Sequence, residues 1–189
     1  MAARNRYHID FGAKWANAAI AFAGLSFFLL CVYYFGFTNL VDCGFGEILF
    51  AMLFPMGLLV ALVVFLRVVR RDAAALLAAM GGVYALLMLI RSFSYGSVLN
   101  TIVAVLWYLV TAVVCLGVIS GKLTDCRYMC AAFLIPAAFR LVFVDIVKYI
   151  FTLSLVKFIP EVAALSGLTA FGLSALCIQV TAVKRAPKQ

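Results

Sequence analysis

Six long apolar segments, separated by short polar connections, most constrain the fold of this 189-residue chain. Each has the roughly 20 residues that a helix needs to cross about 30 Å of hydrocarbon. The pattern predicts an all-α integral membrane protein: a bundle of six transmembrane helices forming one polytopic domain over residues 1–189. The predicted spans are residues 15–36, 47–69, 73–94, 98–120, 129–151 and 160–183.

The composition supports this class. Hydrophobic residues make up 68% of the chain and charged residues 12%, whereas a soluble domain has roughly 45–50% and 25%. The net charge is +8, and the basic residues cluster between the apolar runs. That placement favours topology signals and contacts with anionic lipid. We therefore expect the lipid bilayer to be a partner and nucleic acid not to be one.

The basic residues also predict the orientation. With the N-terminus inside, eleven of them fall on the inner side, whereas Arg91, Lys148 and Lys157 fall outside. This bias predicts a multi-pass protein of the cell (plasma) membrane with both termini cytoplasmic. The inner residues are Arg4, Arg6, Lys14, Arg67, Arg70, Arg71, Lys122, Arg127, Lys184, Arg185 and Lys188.

The fifth span carries three ionisable residues: Arg140, Asp145 and Lys148. Arg140 lies about 11 residues, roughly 16 Å, from the inner end of this span, close to the bilayer centre. Insertion of an arginine there costs about 2.5–3.5 kcal/mol. Asp145 and Lys148 lie nearer the outer interface and can pair with each other at i, i+3.

Three interpretations of Arg140 remain open, besides a misplaced span boundary. The guanidinium could pair structurally with Asp145 or Glu47, or it could contact carbonyls freed near a proline. It could instead face a polar cavity and hold an anionic ligand, which suits its planar donors. In that case Arg140, Asp145 and Lys148 form a ligand-binding site.

Three of the predicted helices contain a proline. Pro55 and Pro136 lie inside spans, where each leaves one backbone carbonyl without its usual partner. Each marks either a kink buried by neighbouring helices or a hinge at a cavity. Pro160, followed by Glu161, suits the start of the sixth helix, because proline is tolerated at the first position and an acid complements the helix dipole.

Small residues recur at four-residue spacing in three spans: Ala19 and Ala23 in the first, Ala74, Ala78 and Gly82 in the third, and Ser166, Ala170 and Ser174 in the sixth. Such patterns let helix backbones approach closely in lipid. They indicate helix packing within one bundle, or a face on the first helix that docks a membrane partner subunit or a second copy of the chain.

Two spans also resemble each other. Residues 50–67 and 131–148 each have a proline at the sixth position and a basic residue at the eighteenth. Three helices per unit would make a 3+3 inverted repeat, a recurring plan in transporters. Chance similarity between proline-containing apolar helices is the alternative.

Catalytic and cofactor motifs are missing from the sequence. It has no HExxH, GxSxG or P-loop pattern, and its single histidine, His8, precedes the first span. Cys126 and Cys130 are four residues apart, the wrong spacing for a CxxC pair. We therefore expect no enzyme, no cofactor and no metal.

These features together predict a small multi-pass transporter or solute-binding transporter subunit, with a mid-membrane site near the fifth helix for an anionic or polar small solute. A noncatalytic membrane scaffold is the alternative. With six spans and an AxxxA pattern at Ala19 and Ala23, the chain is also similar to S-components of energy-coupling-factor transporters. That resemblance implies a substrate-binding subunit whose first helix docks on a membrane coupling subunit.

Overall fold

The computed structural model describes residues 6–9, 14–38, 43–68, 74–92, 98–123, 127–140 and 155–181. Almost all of these residues are helical, as the apolar segments predict. Two stretches wind as π-helices, which have wider turns. The helices are α1 (Lys14–Cys31), continued by π1 (Val32–Phe37); α2 (Phe45–Glu47), continued by π2 (Ile48–Leu53) and α3 (Phe54–Val68); α4 (Ala74–Ser92); α5 (Val98–Ile119); α6 (Arg127–Arg140); and α7 (Leu155–Leu176).

Four helical stretches in the described residues are long and apolar enough to cross a membrane. Two further apolar helices, within α4 and α6, are shorter. The predicted fifth span, 129–151, continues past the end of α6 into residues outside the described part. The structure is therefore compatible with a helical membrane protein, and the count of six spans stays a prediction. The four long stretches are Trp15–Phe37, Phe45–Arg67, Thr101–Ile119 and Phe158–Leu176.

The sixth predicted span, 160–183, has the wrong bounds at both ends. Its helix, α7, begins at Leu155, so Pro160 lies inside the helix and not at its first position. Proline is tolerated inside membrane helices because neighbouring groups can satisfy the backbone that it frees. Since the preceding residues are also apolar, the helix extends upstream of the proline.

At its other end α7 stops at Leu176, and a short strand, β2 (Ile178–Thr181), follows. Its sequence, IQVT, contains three β-branched residues, which favour extended backbone. This strand pairs antiparallel with β1 (Arg6–Ile9), with Arg6 opposite Thr181. The pairing places the start of α1 beside the end of α7.

Helix α7 lies at the centre of the bundle. In its most apolar stretch 78% of the residues are buried, whereas the other three long stretches have between 22% and 33% buried. It packs most extensively against α1, then against α6 and α4. Because lipid-facing helices bury only one side, α7 is the helix of the described bundle that is most enclosed by protein.

Helix α1 presents one narrow stripe to the bundle. Its buried residues follow one another at intervals of three or four, the repeat of a single helical face. At the start of the helix they are alanines, which allow close approach to the neighbouring backbone. The stripe consists of Ala16, Ala19, Ala23, Ser26 and Leu30, and continues to Tyr34 in π1.

Short connections determine which helix ends lie together. The connections between π1 and α2, α3 and α4, α4 and α5, and α5 and α6 have at most seven residues each. At about 3.3–3.6 Å per residue, none could cross 30 Å of hydrocarbon. One end of the bundle, here called the basic end, therefore carries Lys14, Arg67, Lys122 and Arg127.

Helix α7 also ends at the basic end. The Cβ position of Gly81 in α4 lies 3.5 Å from the Phe171 ring, while Tyr84, further along α4, meets Gly167, earlier in α7. The two helices are therefore antiparallel. Together with the strand pair, this places both ends of the described chain on one side of the bundle.

The described residues do not test the predicted 3+3 inverted repeat. Most of the second half of residues 131–148 lies outside the described part of the chain. Where both copies are described their backbones differ, because Pro55 directly follows the π2 and α3 junction whereas Pro136 lies inside a regular helix.

Candidate functional site

The predicted ligand-binding residues are only partly described. Arg140 is the last residue of α6. Its side chain, together with Asp145 and Lys148, lies outside the described part of the chain. Helix α6 packs against α7, so the backbone that carries Arg140 belongs to the helix beside the enclosed centre of the bundle.

A buried carboxyl group lies on α7. Glu161 is the seventh residue of this helix, and only 7% of it is exposed. The interpretation that Pro160 and Glu161 mark the helix start is wrong, since α7 begins one and a half turns earlier. An ionisable residue inside a membrane helix is costly and commonly marks a functional pathway. Sequence reasoning missed Glu161 because the predicted boundary placed it at the interface.

Hydroxyl groups converge on α7 in the turns that follow Glu161. The buried Ser26 hydroxyl, on α1, donates a 2.6 Å hydrogen bond to the carbonyl oxygen of Ala163. The Ser166 hydroxyl donates to the same carbonyl at 2.9 Å. The Ser26 bond joins α1 to α7, as hydroxyl-to-carbonyl bonds do in lipid, whereas the Ser166 bond lies within α7.

The third hydroxyl belongs to Tyr84 on α4. It donates a long hydrogen bond, 3.4 Å, to the carbonyl oxygen of Ala164. This approach requires glycine at position 167, because a Cβ there would lie 2.6 Å from the Tyr84 Cζ and closer still to its hydroxyl oxygen. The same Cβ position lies 3.2 Å from the Ser26 hydroxyl oxygen. Three helices therefore meet at one turn of α7.

Glu161 and these hydroxyls form one polar segment of the bundle, here called the α7 polar segment: Ser26, Tyr84, Glu161, Ser166 and the carbonyls of Ala163 and Ala164. Glu161 and Ala164 are three residues apart and so share a helical face. The segment combines one carboxyl with hydroxyls and carbonyl oxygens, which are hydrogen-bond acceptors in a largely apolar interior. Such a set suits a polar or donor-bearing group.

The proline in α6 is supported by a neighbouring helix. Pro136 has no N–H, so the carbonyl of Ala132 loses its usual helical partner. The Thr111 hydroxyl of α5 lies 2.8 Å from that carbonyl oxygen and donates to it. A neighbouring helix therefore satisfies the carbonyl that Pro136 leaves without a backbone donor. The same hydroxyl is 3.0 Å from the Trp107 carbonyl of its own helix.

The other proline, Pro55, follows a π-helical segment. The amide of Phe54 donates to the Leu49 carbonyl, five residues back, where a regular helix would use four. Pro55 is then the second residue of α3, and the π-helical turn before it adjusts the backbone of a continuous helix next to a residue that has no N–H.

The predicted packing residues lie inside the bundle. Ala19, Ala23 and Ala78 are each 0% exposed. At Gly82 a Cβ would meet the Cys115 side chain of α5 at 3.4 Å. The two alanines that suggested a docking face on α1 are thus covered by helices of the same chain.

No protein family, curated protein or solved structure matches this sequence. The described residues contain no cluster of three or more histidine, cysteine, aspartate or glutamate side chains that could hold a metal ion.

Proposed function

We propose that this chain is a small multi-pass membrane transporter or solute-binding transporter subunit, with six spans and both termini in the cytoplasm of a plasma-membrane protein. The observation that carries this proposal is the burial of Glu161 in the most enclosed helix of the described bundle, which also accepts hydrogen bonds from Ser26 and Tyr84 in the turns that follow. An ionisable residue inside a membrane helix is costly and commonly marks a functional pathway.

Arg140 supplies the second half of the proposed site. It ends α6, which packs on α7, and a guanidinium suits an anionic group. Asp145 and Lys148 follow on the same segment. A small polar solute with an anionic group near Arg140 and a hydrogen-bond donor near Glu161 fits this combination of charges. The proposal includes no catalytic step.

Thermal stabilisation of the purified protein by small polar solutes tests this function. A solute that binds should raise the melting temperature of the wild type. Glu161→Gln and Arg140→Gln should each lose that shift, measured against their own unliganded melting temperatures. Glu47→Gln is the matched control, because Glu47 is an exposed carboxylate in α2. Equal shifts in all three variants would rule out this site.

A noncatalytic membrane scaffold is the second candidate. It is favoured by one observation: the hydroxyls of Ser26, Tyr84 and Thr111 all donate to backbone carbonyls of neighbouring helices and so hold the bundle together. A stoichiometric subunit that co-purifies with the chain, together with no solute effect, would favour this function.

The alternative of an S-component-like subunit has less support. The resemblance depends on the AxxxA pattern at Ala19 and Ala23, and both alanines are buried among helices of the same chain. A coupling subunit would therefore have to bind another face of α1 or another helix.

A further inference from the structure

The basic end of the bundle carries exposed cationic side chains on described helices and turns. Arg67 ends the apolar stretch of α3, Lys122 follows α5, and Arg127 begins α6, and all three side chains are exposed. Glu47, at the opposite end, is also exposed. All three exposed charges described at the basic end are cationic, whereas the opposite end combines Glu47 with the basic residues Arg91 and Lys157 on α4 and α7.

Exposed aromatic side chains mark the depth of the basic end. Trp15, beside Lys14 at the start of α1, is 51% exposed, and Tyr128, beside Arg127, is 59% exposed. Tryptophan and tyrosine concentrate at the level of lipid headgroups because each joins an apolar ring to a polar group. The aromatic and cationic residues therefore occupy the same level, where phosphate groups of lipids lie.

The turn that carries Lys122 is rigidly built. Gly121 has φ +71°, which glycine adopts without strain. The amides of Gly121 and Lys122 donate to the carbonyls of Val118 and Gly117, at 3.1 and 3.0 Å, which is the Schellman pattern of a helix end. Leu123 packs closely on Gly117, since a Cβ at position 117 would lie 2.6 Å from the Cδ1 atom of Leu123. Lys122 is therefore held in place at the end of α5.

We propose that the basic end is a binding surface for anionic phospholipid headgroups, with Arg67 and Lys122 as its contacts. Charge complementarity and headgroup depth select this occupant. In the sequence, the basic residues Lys184 and Arg185 follow within four residues of Thr181 at the end of β2. The proposal requires the chain to lie in a membrane but is independent of solute transport.

Energy transfer from Trp15 to dansyl-labelled lipid measures this binding. The full chain, in a Trp107→Phe background, is placed in micelles with labelled phosphatidylglycerol or phosphatidylcholine. Phosphatidylglycerol should bind more tightly, and each basic residue removed by Arg67→Gln or Lys122→Gln should weaken its binding about fivefold. Lys157→Gln removes the same charge in the first turn of α7, at the opposite end, and should leave binding unchanged.

Further measurements separate the effect of charge from the effect of a changed fold. They also separate binding of a lipid from binding of a soluble anion. Lys122→Arg keeps the charge and should keep the binding. Raising salt from about 0.1 M to about 1 M shortens the Debye length from about 10 Å to about 3 Å and should remove the preference for phosphatidylglycerol. The proposal is overturned if both lipids bind equally well, or if Lys157→Gln weakens binding as much as Lys122→Gln does. Displacement of the labelled lipid by equimolar inorganic phosphate would also overturn it.

Discussion

The Thr111 hydroxyl lies 2.8 Å from the carbonyl oxygen of Ala132, at the turn of α6 where Pro136 has no amide hydrogen to donate. A side chain of one helix thus replaces a backbone bond missing in another. Unsatisfied carbonyls are costly in an apolar interior. This contact therefore supports the helix whose last residue is Arg140.

Thr111→Val should destabilise the protein by about 1–2 kcal/mol, because the isosteric side chain leaves the Ala132 carbonyl without a donor. In the double variant with Pro136→Ala the new backbone amide can serve that carbonyl, so the loss should be smaller. Equilibrium unfolding in detergent measures both. Thr169→Val is the control, since the Thr169 hydroxyl donates to Leu165 within its own helix. Additive losses in the double variant would contradict the proposed role of Thr111.

Gly167→Ala should destabilise the bundle by about 1–3 kcal/mol, because the added methyl group meets the Tyr84 ring and hydroxyl. Tyr84→Phe in the same background removes the nearest atom and should restore part of the loss. Gly24 is the matched control: it lies in α1 with no atom within 4 Å of its Cβ position. Gly24→Ala should be neutral or stabilise by up to about 1 kcal/mol. Melting temperatures in detergent distinguish the two, and equal effects would show that the Tyr84 contact is not tight.

The sequence predicts where the helices of this fold lie better than it predicts which helices pack against each other. The first four spans agree with the described helices to within a few residues, because length and apolar composition suffice to locate them. The predicted start of the last helix is wrong because proline is common in the first turn of a helix, which favoured a start at Pro160. The apolar residues upstream of Pro160 instead continue the helix back to Leu155. The strand after Leu176 was missed because its apolar residues also fit a helix.

The contacts of the candidate site could not be predicted from spacing. Ser26 and Ala163 are 137 residues apart in the chain, yet their atoms lie 2.6 Å apart. Thr111 was one of many mild polar residues within spans, and nothing in the sequence pairs it with Ala132. Glu161 had a detectable signal, an acid next to an apolar run, but its significance depended on the helix boundary.

Ala19→Leu should destabilise the protein by about 1–3 kcal/mol, because Ala19 is fully buried in the stripe by which α1 packs into the bundle. Ala21→Leu, two residues further on an exposed face of the same helix, should change stability by about 0.5 kcal/mol or less. Unfolding of the isolated chain measures both. If Ala19→Leu left its stability unchanged but removed a co-purifying subunit, α1 would be a docking face after all.

The predicted orientation can be tested by cysteine labelling in cells. In single-cysteine variants, Cys43, which follows π1, should react with an impermeant maleimide from outside, whereas Cys126, before α6, should not. The basis is the excess of basic residues on the side that carries Arg67 and Lys122. Permeabilised cells are the control in which Cys126 should react if it is accessible. The reverse pattern in intact cells would invert the topology, while leaving both termini on one side.

The role of Arg140 can be decided by a double-mutant cycle with Asp145. If Arg140 binds an anionic solute, Arg140→Met should abolish solute stabilisation and leave the unliganded protein as stable or more stable, because a buried cation without its counter-ion is costly. If Arg140 is instead the structural partner of Asp145, the same change leaves an acid unpaired and should lower the melting temperature. Adding Asp145→Leu should then recover it, since removing both partners costs less than removing one. A destabilised single variant rescued by the double would assign Arg140 to the scaffold function.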